Sequence, residues 1–172
     1  MLPMSSAGET PTSARFTEAE LSSLVITSTR DTFSTMIMME LRDESLLTVT
    51  PDHFHDSISG MVGFAGIYTG SLSIHCPLSL ARTITANMLG MECEEIDDDI
   101  NDALGEIANL LGGGIKHLLS SSGQDVKLST PSVISGGSYK IKSLSDCNTV
   151  VIPFYYNDER LLVALTLTRE NS

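Results

Sequence analysis

Between Asp97 and Leu119 the chain reads DDDINDALGEIANLLGGGIKHLL, and its apolar residues recur with the period of an α-helix. At about 100° of rotation per residue, Ile100, Ala103, Leu104, Ile107, Leu111, Ile115 and Leu118 share one side. So continuous an apolar stripe must lie against a second layer, and the stretch therefore demands a sheet or further helices to cover it. Its other side is polar: Asp102, Glu106 and Asn109 stand at i, i+4 and i+7 within an arc of roughly 60°, and Gly113 continues the line. Gly105, Gly112, Gly113 and Gly114 surround them, although each glycine inside a helix costs about 1 kcal/mol relative to alanine. Asparagine is also a poor helix-interior residue, because its side chain competes for backbone hydrogen bonds. A carboxylate and a carboxamide on adjacent turns thus mark a candidate reactive face. Pattern alone does not separate such a face from a solvated one.

The rest of the chain supplies the second layer. Residues 1–15 are rich in Ser, Thr, Pro and Gly and read as a flexible leader, leaving 16–172 as a single domain. Thr17 and Glu20 form a capping box for a helix running to about Leu41, with Leu21, Leu24, Val25, Ser28, Thr32, Phe33, Met36 and Ile37 on its core face. Met36, Met38 and Met39 read as adaptable core filling. From Ser45 the period shifts toward two, and Leu47 with Val49, then 57–65 and 67–74, read as strands broken by Pro51, Gly60, Gly66 and Gly70. Pro77 suits a helix start, and Gly90 ends that helix. An acidic link, Glu92 to Asp99, leads into the central helix, where its carboxylates suit the positive end of the helix dipole. Residues 126–134, 138–144, 149–155 and 161–168 read as further strands, with SSSGQD, the GG pair and YNDER as turns. LLVALTL, Leu161 to Leu167, is the most apolar and belongs at the middle of the sheet. With no alternating βαβ units, the order predicts an α+β fold, an antiparallel or mixed sheet carrying three main helices.

Composition narrows the function. The formal charge is −12, and Lys116, Lys127, Lys140 and Lys142 are scattered, so neither nucleic acid nor an anionic membrane surface is an expected partner. No apolar run reaches the roughly 18–20 residues that span a bilayer, and the N-terminal stretch lacks a signal peptide's apolar core, which predicts a cytoplasmic protein. Cys76, Cys93 and Cys147 show no metal or redox spacing and read as free thiols. Serine-nucleophile, zinc-protease and P-loop motifs are absent. His53-x-His55 places two imidazoles on one side of an extended segment, but the sequence offers no further ligands beside them. A helix followed by strands in each half suggests an internal duplication. The matching face of the first helix, around Arg30, Asp31 and Ser34, carries different chemistry.

Asp102-x-x-x-Glu106-x-x-Asn109, set in NDALGEIANLLGGGIK and followed by Pro131 in LSTPSVISGG, resembles the signature of the CheX/CheC/FliY chemotaxis phosphatases, most closely CheX-like members. CheC-like members carry two such motifs, and this chain has one. The resemblance implies hydrolysis of the aspartyl phosphate on a CheY-like response regulator. It implies catalytic roles for Glu106 and Asn109, and a partner-binding surface that includes Asp102, Gly105 and Gly113. It further implies no cofactor beyond the Mg²⁺ that the regulator brings, and a homodimer joined through sheet edges. The competing reading is a non-catalytic receiver-binding module, like the related flagellar-switch proteins.

Overall fold

The computed structural model describes residues 15–92, 99–120, 125–143 and 147–169. Helices α1 (Glu18–Thr32), α2 (Leu78–Leu89) and α3 (Ile100–Leu119) pack on an antiparallel sheet. Its strands are β1 (Arg42–Asp43), β2 (His53–Gly66), β3 (Tyr68–Pro77), β4 (Val126–Leu128), β5 (Ser132–Lys140), β6 (Thr149–Tyr156) and β7 (Glu159–Arg169). The order across the sheet is β1-β6-β7-β3-β2-β4, with β5 also on β2. This is the α+β architecture expected of the sequence. β7, which contains LLVALTL, lies between β6 and β3. Leu161, Val163, Leu165 and Leu167 enter the main core beneath the helices, and Leu162 enters a smaller cluster with Phe54 and Val151. Burial on both faces explains its unbroken apolar run.

The capping box forms as the sequence indicates: Glu20 N–H donates to Thr17 Oγ1 at 3.1 Å, and Thr17 N–H donates to Glu20 Oε2 at 2.7 Å. Gly90 ends α2 in the left-handed region with φ 65°. The first helix departs from the expectation near its end. Residues Phe33–Ile37 form a π-turn, and Met38 stops the helix with φ 59°. The wider turn shifts the phase of every later side chain. Met36 therefore faces solvent at 60% exposure and Met38 at 79%, while Met39 is buried. Only one of the three clustered methionines fills the core.

Other boundaries also move. The segment at Leu47 and Val49 is not a strand; the pairing there is the two-residue β1, continued by single bonds from Glu44 N–H to the Pro153 carbonyl and from Leu47 N–H to that of Val151. β2 begins at His53 and passes through Gly60 without a break. Gly136 and Gly137 lie inside β5 rather than forming a turn. The stretch read as one strand over 126–134 is split into β4 and β5 by residues 129–131. Leu118, expected on the core face of α3, is 47% exposed, and Leu119 packs against the core in its place. Residues 1–14 of the leader, most of the acidic link with Cys93, and much of the SSSGQD turn lie outside the described residues.

Candidate functional site

α3 is seated by its apolar face and by glycines on both sides of the contact. Ile100, Leu104, Ile107, Ala108, Leu111 and Ile115 are buried in the main core. A Cβ at Gly60 of β2 would meet the Leu104 carbonyl oxygen at 2.7 Å, so the strand can approach the helix only because that residue has none. A Cβ at Gly112 would lie 2.9 Å from Val62 Cγ2, and one at Gly114 would overlap Ser28 of α1. The Ser28 hydroxyl is buried there and donates to the Leu111 carbonyl at 2.9 Å. The helix runs unbroken through all three consecutive glycines, two of which are explained by close packing. The sequence marked Gly60 only as a breaker; its true signal was a glycine inside a strand facing a helix.

On the outer face Asp102 and Glu106 are exposed, and Asn109 is half-buried one turn below Gly105. Among the described residues none makes a hydrogen bond or ion pair with the Glu106 or Asn109 side chain, so a carboxylate and a carboxamide are both open to an incoming group. A Cβ at Gly113 would meet nothing within 4 Å, which places that residue on the open stripe. Gly105 lies differently. It is buried, and the space beside it is bounded by Val133 Cγ2 and Pro131 Cγ, 3.5 and 3.8 Å from where a Cβ would stand. Pro131 ends the 129–131 interruption between β4 and β5. Ser129 fastens that interruption to β2: its hydroxyl accepts from Gly63 N–H at 2.8 Å, and its own N–H donates to the Gly63 carbonyl at 2.9 Å. The spacing of Ser129 gave no sign of this.

The remaining sequence candidates fall elsewhere. His53 and His55 are on the first residues of β2 with ring centroids 4.3 Å apart, and His53 Nε2 is 2.8 Å from Ser138 Oγ. Among the described residues no group of three or more His, Cys, Asp or Glu is placed to hold a metal ion. On α1, Arg30 pairs with Asp43 at 3.6 Å, and Ser34 and Thr35 donate back to the Asp31 carbonyl, so that face offers no counterpart to Glu106 and Asn109. Cys76 is buried and Cys147 exposed.

The family profile described as "Chemotaxis phosphatase CheX" matches residues 58–155, which include all of α3, β3, β4 and β5 and most of β2. The chain belongs to the CheX family. A curated relative, the CheY-P phosphatase CheX of Thermotoga maritima, is 28% identical over 127 residues, covering 73% of this chain and 82% of that protein. The chemotaxis protein CheX of Desulfovibrio desulfuricans superposes with a TM-score of 0.76 at 28% identity, covering 86% of this chain and 99% of that one. The CheX in a CheX–CheY–BeF3–Mg²⁺ complex from Borrelia burgdorferi shares the fold at TM-score 0.72 and 20% identity, over 86% and 97% of the two chains. No helix among the described residues is long and apolar enough to cross a membrane.

Proposed function

We propose that this chain is a phosphatase that hydrolyses the aspartyl phosphate of a CheY-like response regulator and so ends its signal in chemotaxis or a related two-component pathway. The observation that carries the reading is the pairing of Glu106 with Asn109 on the open side of a helix whose other side is fixed to the sheet. Membership of a phosphatase family supports it.

An acyl phosphate bound to the receiver's Mg²⁺ already has much of its charge neutralised. What remains is to hold water in line with phosphorus. A carboxamide suits this task, since Asn109 accepts a hydrogen bond from water through Oδ1 and donates to a phosphoryl oxygen through Nδ2. The water oxygen bonds to phosphorus as the bond to the aspartyl oxygen breaks, leaving a carboxylate on the receiver and dihydrogen phosphate carrying both of the water's protons. Glu106, acceptor-only when ionised, pairs with the receiver's active-site lysine and fixes the angle at which α3 approaches. Asp102 and Gly113 extend the docking surface along the same stripe. The Mg²⁺ belongs to the receiver, and we assign the chain no cofactor of its own.

We place the protein in the cytoplasm with its regulator, as a homodimer joined along β5. That strand pairs only with β2 among the described residues, which leaves its outer edge open to a second copy. Sedimentation showing a monomer at micromolar concentration would remove the dimer. The function itself is tested by timing the decay of phosphorylated receiver domains with and without the chain. Acceleration that disappears in Asn109→Ala, while receiver binding persists, is the expected result. An unchanged phosphate lifetime at saturating protein would point instead to a binding module.

A further inference from the structure

The seam between α1 and α3 opens beside the polar stripe. One turn beyond Gly113 stands His117, which at about 100° per residue stays within roughly 80° of every other stripe residue and is exposed. It borders a cavity of about 90 Å³ that is also lined by Thr27, Ser28, Asp31 and Thr32 of α1 and by Gly114. The chemistry of this lining is one-sided. The Asp31 carboxylate is exposed and has no hydrogen bond or ion pair among the described residues. Thr32 is only 7% exposed, yet its hydroxyl has no hydrogen-bond partner among the described residues either. Ser28 has its proton committed to the Leu111 carbonyl, which leaves its oxygen as an acceptor. No lysine or arginine lines the cavity among the described residues, and the neighbouring Arg30 pairs with Asp43 instead.

A carboxylate with unspent hydroxyl oxygens suits an ammonium, which has three donors and no acceptor. The volume is that of about three waters, well below the roughly 300 Å³ of small-molecule sites, so the cavity admits the head of a side chain and little more. It also lies within reach of a partner seated on the stripe. His117 is about 12 Å along the helix from Asn109, and a standard interface covers about 800 Å² of each partner, a patch roughly 16 Å in radius. The formal charge of −12 favours a basic surface opposite. We propose that this cavity receives a lysine of the docked receiver, one outside the receiver's catalytic centre, and that Asp31 is its counter-charge. Such an anchor can differ from one receiver to the next, so it helps to choose which receiver is bound. This inference rests on the phosphatase reading above and names a specificity contact for the same docking surface.

The test uses the full chain with a phosphorylated receiver domain whose decay it accelerates. Asp31→Asn should raise the half-saturating receiver concentration about five- to tenfold, with kcat and the unfolding midpoint unchanged. Thr27→Leu, which narrows the cavity without altering charge, should raise it as well. The receiver's lysines are then replaced by methionine one at a time. One outside the catalytic centre should weaken docking to the wild-type chain by a similar factor and have no further effect on Asp31→Asn, the signature of a direct pair. Wild-type half-saturation in Asp31→Asn, or receiver lysines whose replacements all cost the same with Asp31→Asn as with wild type, would overturn the inference and leave the phosphatase reading intact. A wild-type chain that leaves the receiver's phosphate lifetime unchanged would remove both.

Discussion

Gly60 of β2 lies directly beneath the peptide carbonyl of Leu104 in α3, so near that a Cβ on the strand would stand 2.7 Å from that oxygen and 3.3 Å from the Ala108 Cβ. Leu104 and Ala108 lie on the inward side of the helix that carries Glu106 and Asn109, so this contact sets how far those two side chains stand above the sheet. The obstacle to a larger residue is backbone and cannot rotate away. Gly60→Ala should therefore lift α3 and destabilise the fold by about 1–3 kcal/mol, read as a lower urea midpoint. An unchanged midpoint would mean that the helix can ride higher at no cost.

Glu106 is exposed, so its removal should act on the encounter with the receiver rather than on folding. Glu106→Ala is expected to change stability by no more than about 0.5 kcal/mol. It should raise the half-saturating receiver concentration by roughly tenfold or more, the equivalent of one charge-assisted hydrogen bond. Glu106→Gln, which keeps the shape and loses the charge, should fall between the two. Titration of receiver at fixed enzyme reads the effect, and wild-type saturation by Glu106→Ala would exclude the assigned role.

His75 gives the fold a pH dependence. Its ring stacks on Phe54 with centroids 4.3 Å apart, Nδ1 is 2.6 Å from Ser59 Oγ, and Nε2 is 2.9 Å from Ser73 Oγ. Burial lowers its pKa from 6.5 to about 4. The unfolded chain takes up the proton first as the pH falls, so His75 adds no pH dependence to stability above about pH 6.5 and destabilises progressively down to about pH 4, where the loss levels off. The loss is on the order of 3 kcal/mol. Urea midpoints at intervals across this range should show the decline in wild type and a shallower one in His75→Gln. Parallel curves would dismiss the assignment.

Met38 holds φ at 59° with its side chain 79% exposed, and its N–H donates to the Phe33 carbonyl. A left-handed residue closing a helix is most at ease as glycine, because the Cβ is what strains there. Met38→Gly should accordingly raise stability by about 1 kcal/mol, seen as a higher thermal midpoint. A lower midpoint would show that the thioether contributes packing that its exposure conceals.

Much of this architecture was legible in the sequence because it rests on periodicity. The apolar stripe of α3, the capping box at Thr17, the stop at Gly90 and the central place of Leu161–Leu167 are local or statistical consequences of residue type. Features that depend on one element meeting another were not. The π-turn at Phe33–Ile37 turned Met36 and Met38 out to solvent without a sequence signal. The roles of Gly60, Gly112 and Gly114 come from surfaces that are distant along the chain. The Ser129 bonds, which divide an apparently continuous strand, depend on a glycine 66 residues earlier. The candidate site shows the same division: pattern placed Asp102, Glu106 and Asn109 on one face, while contacts put Gly105 against Pro131 and left Gly113 open.

Glu106 and Asn109 stand on the outside of a rod rather than at the bottom of a cleft. A convex surface cannot wrap a small molecule, strip its water or hold it for the time a reaction takes. On the proposed reading, free metabolic acyl phosphates should therefore outlast the receiver's phosphate in the presence of this chain. For the proposed reaction, only a partner that brings its own cavity can turn two surface side chains into a closed reaction vessel.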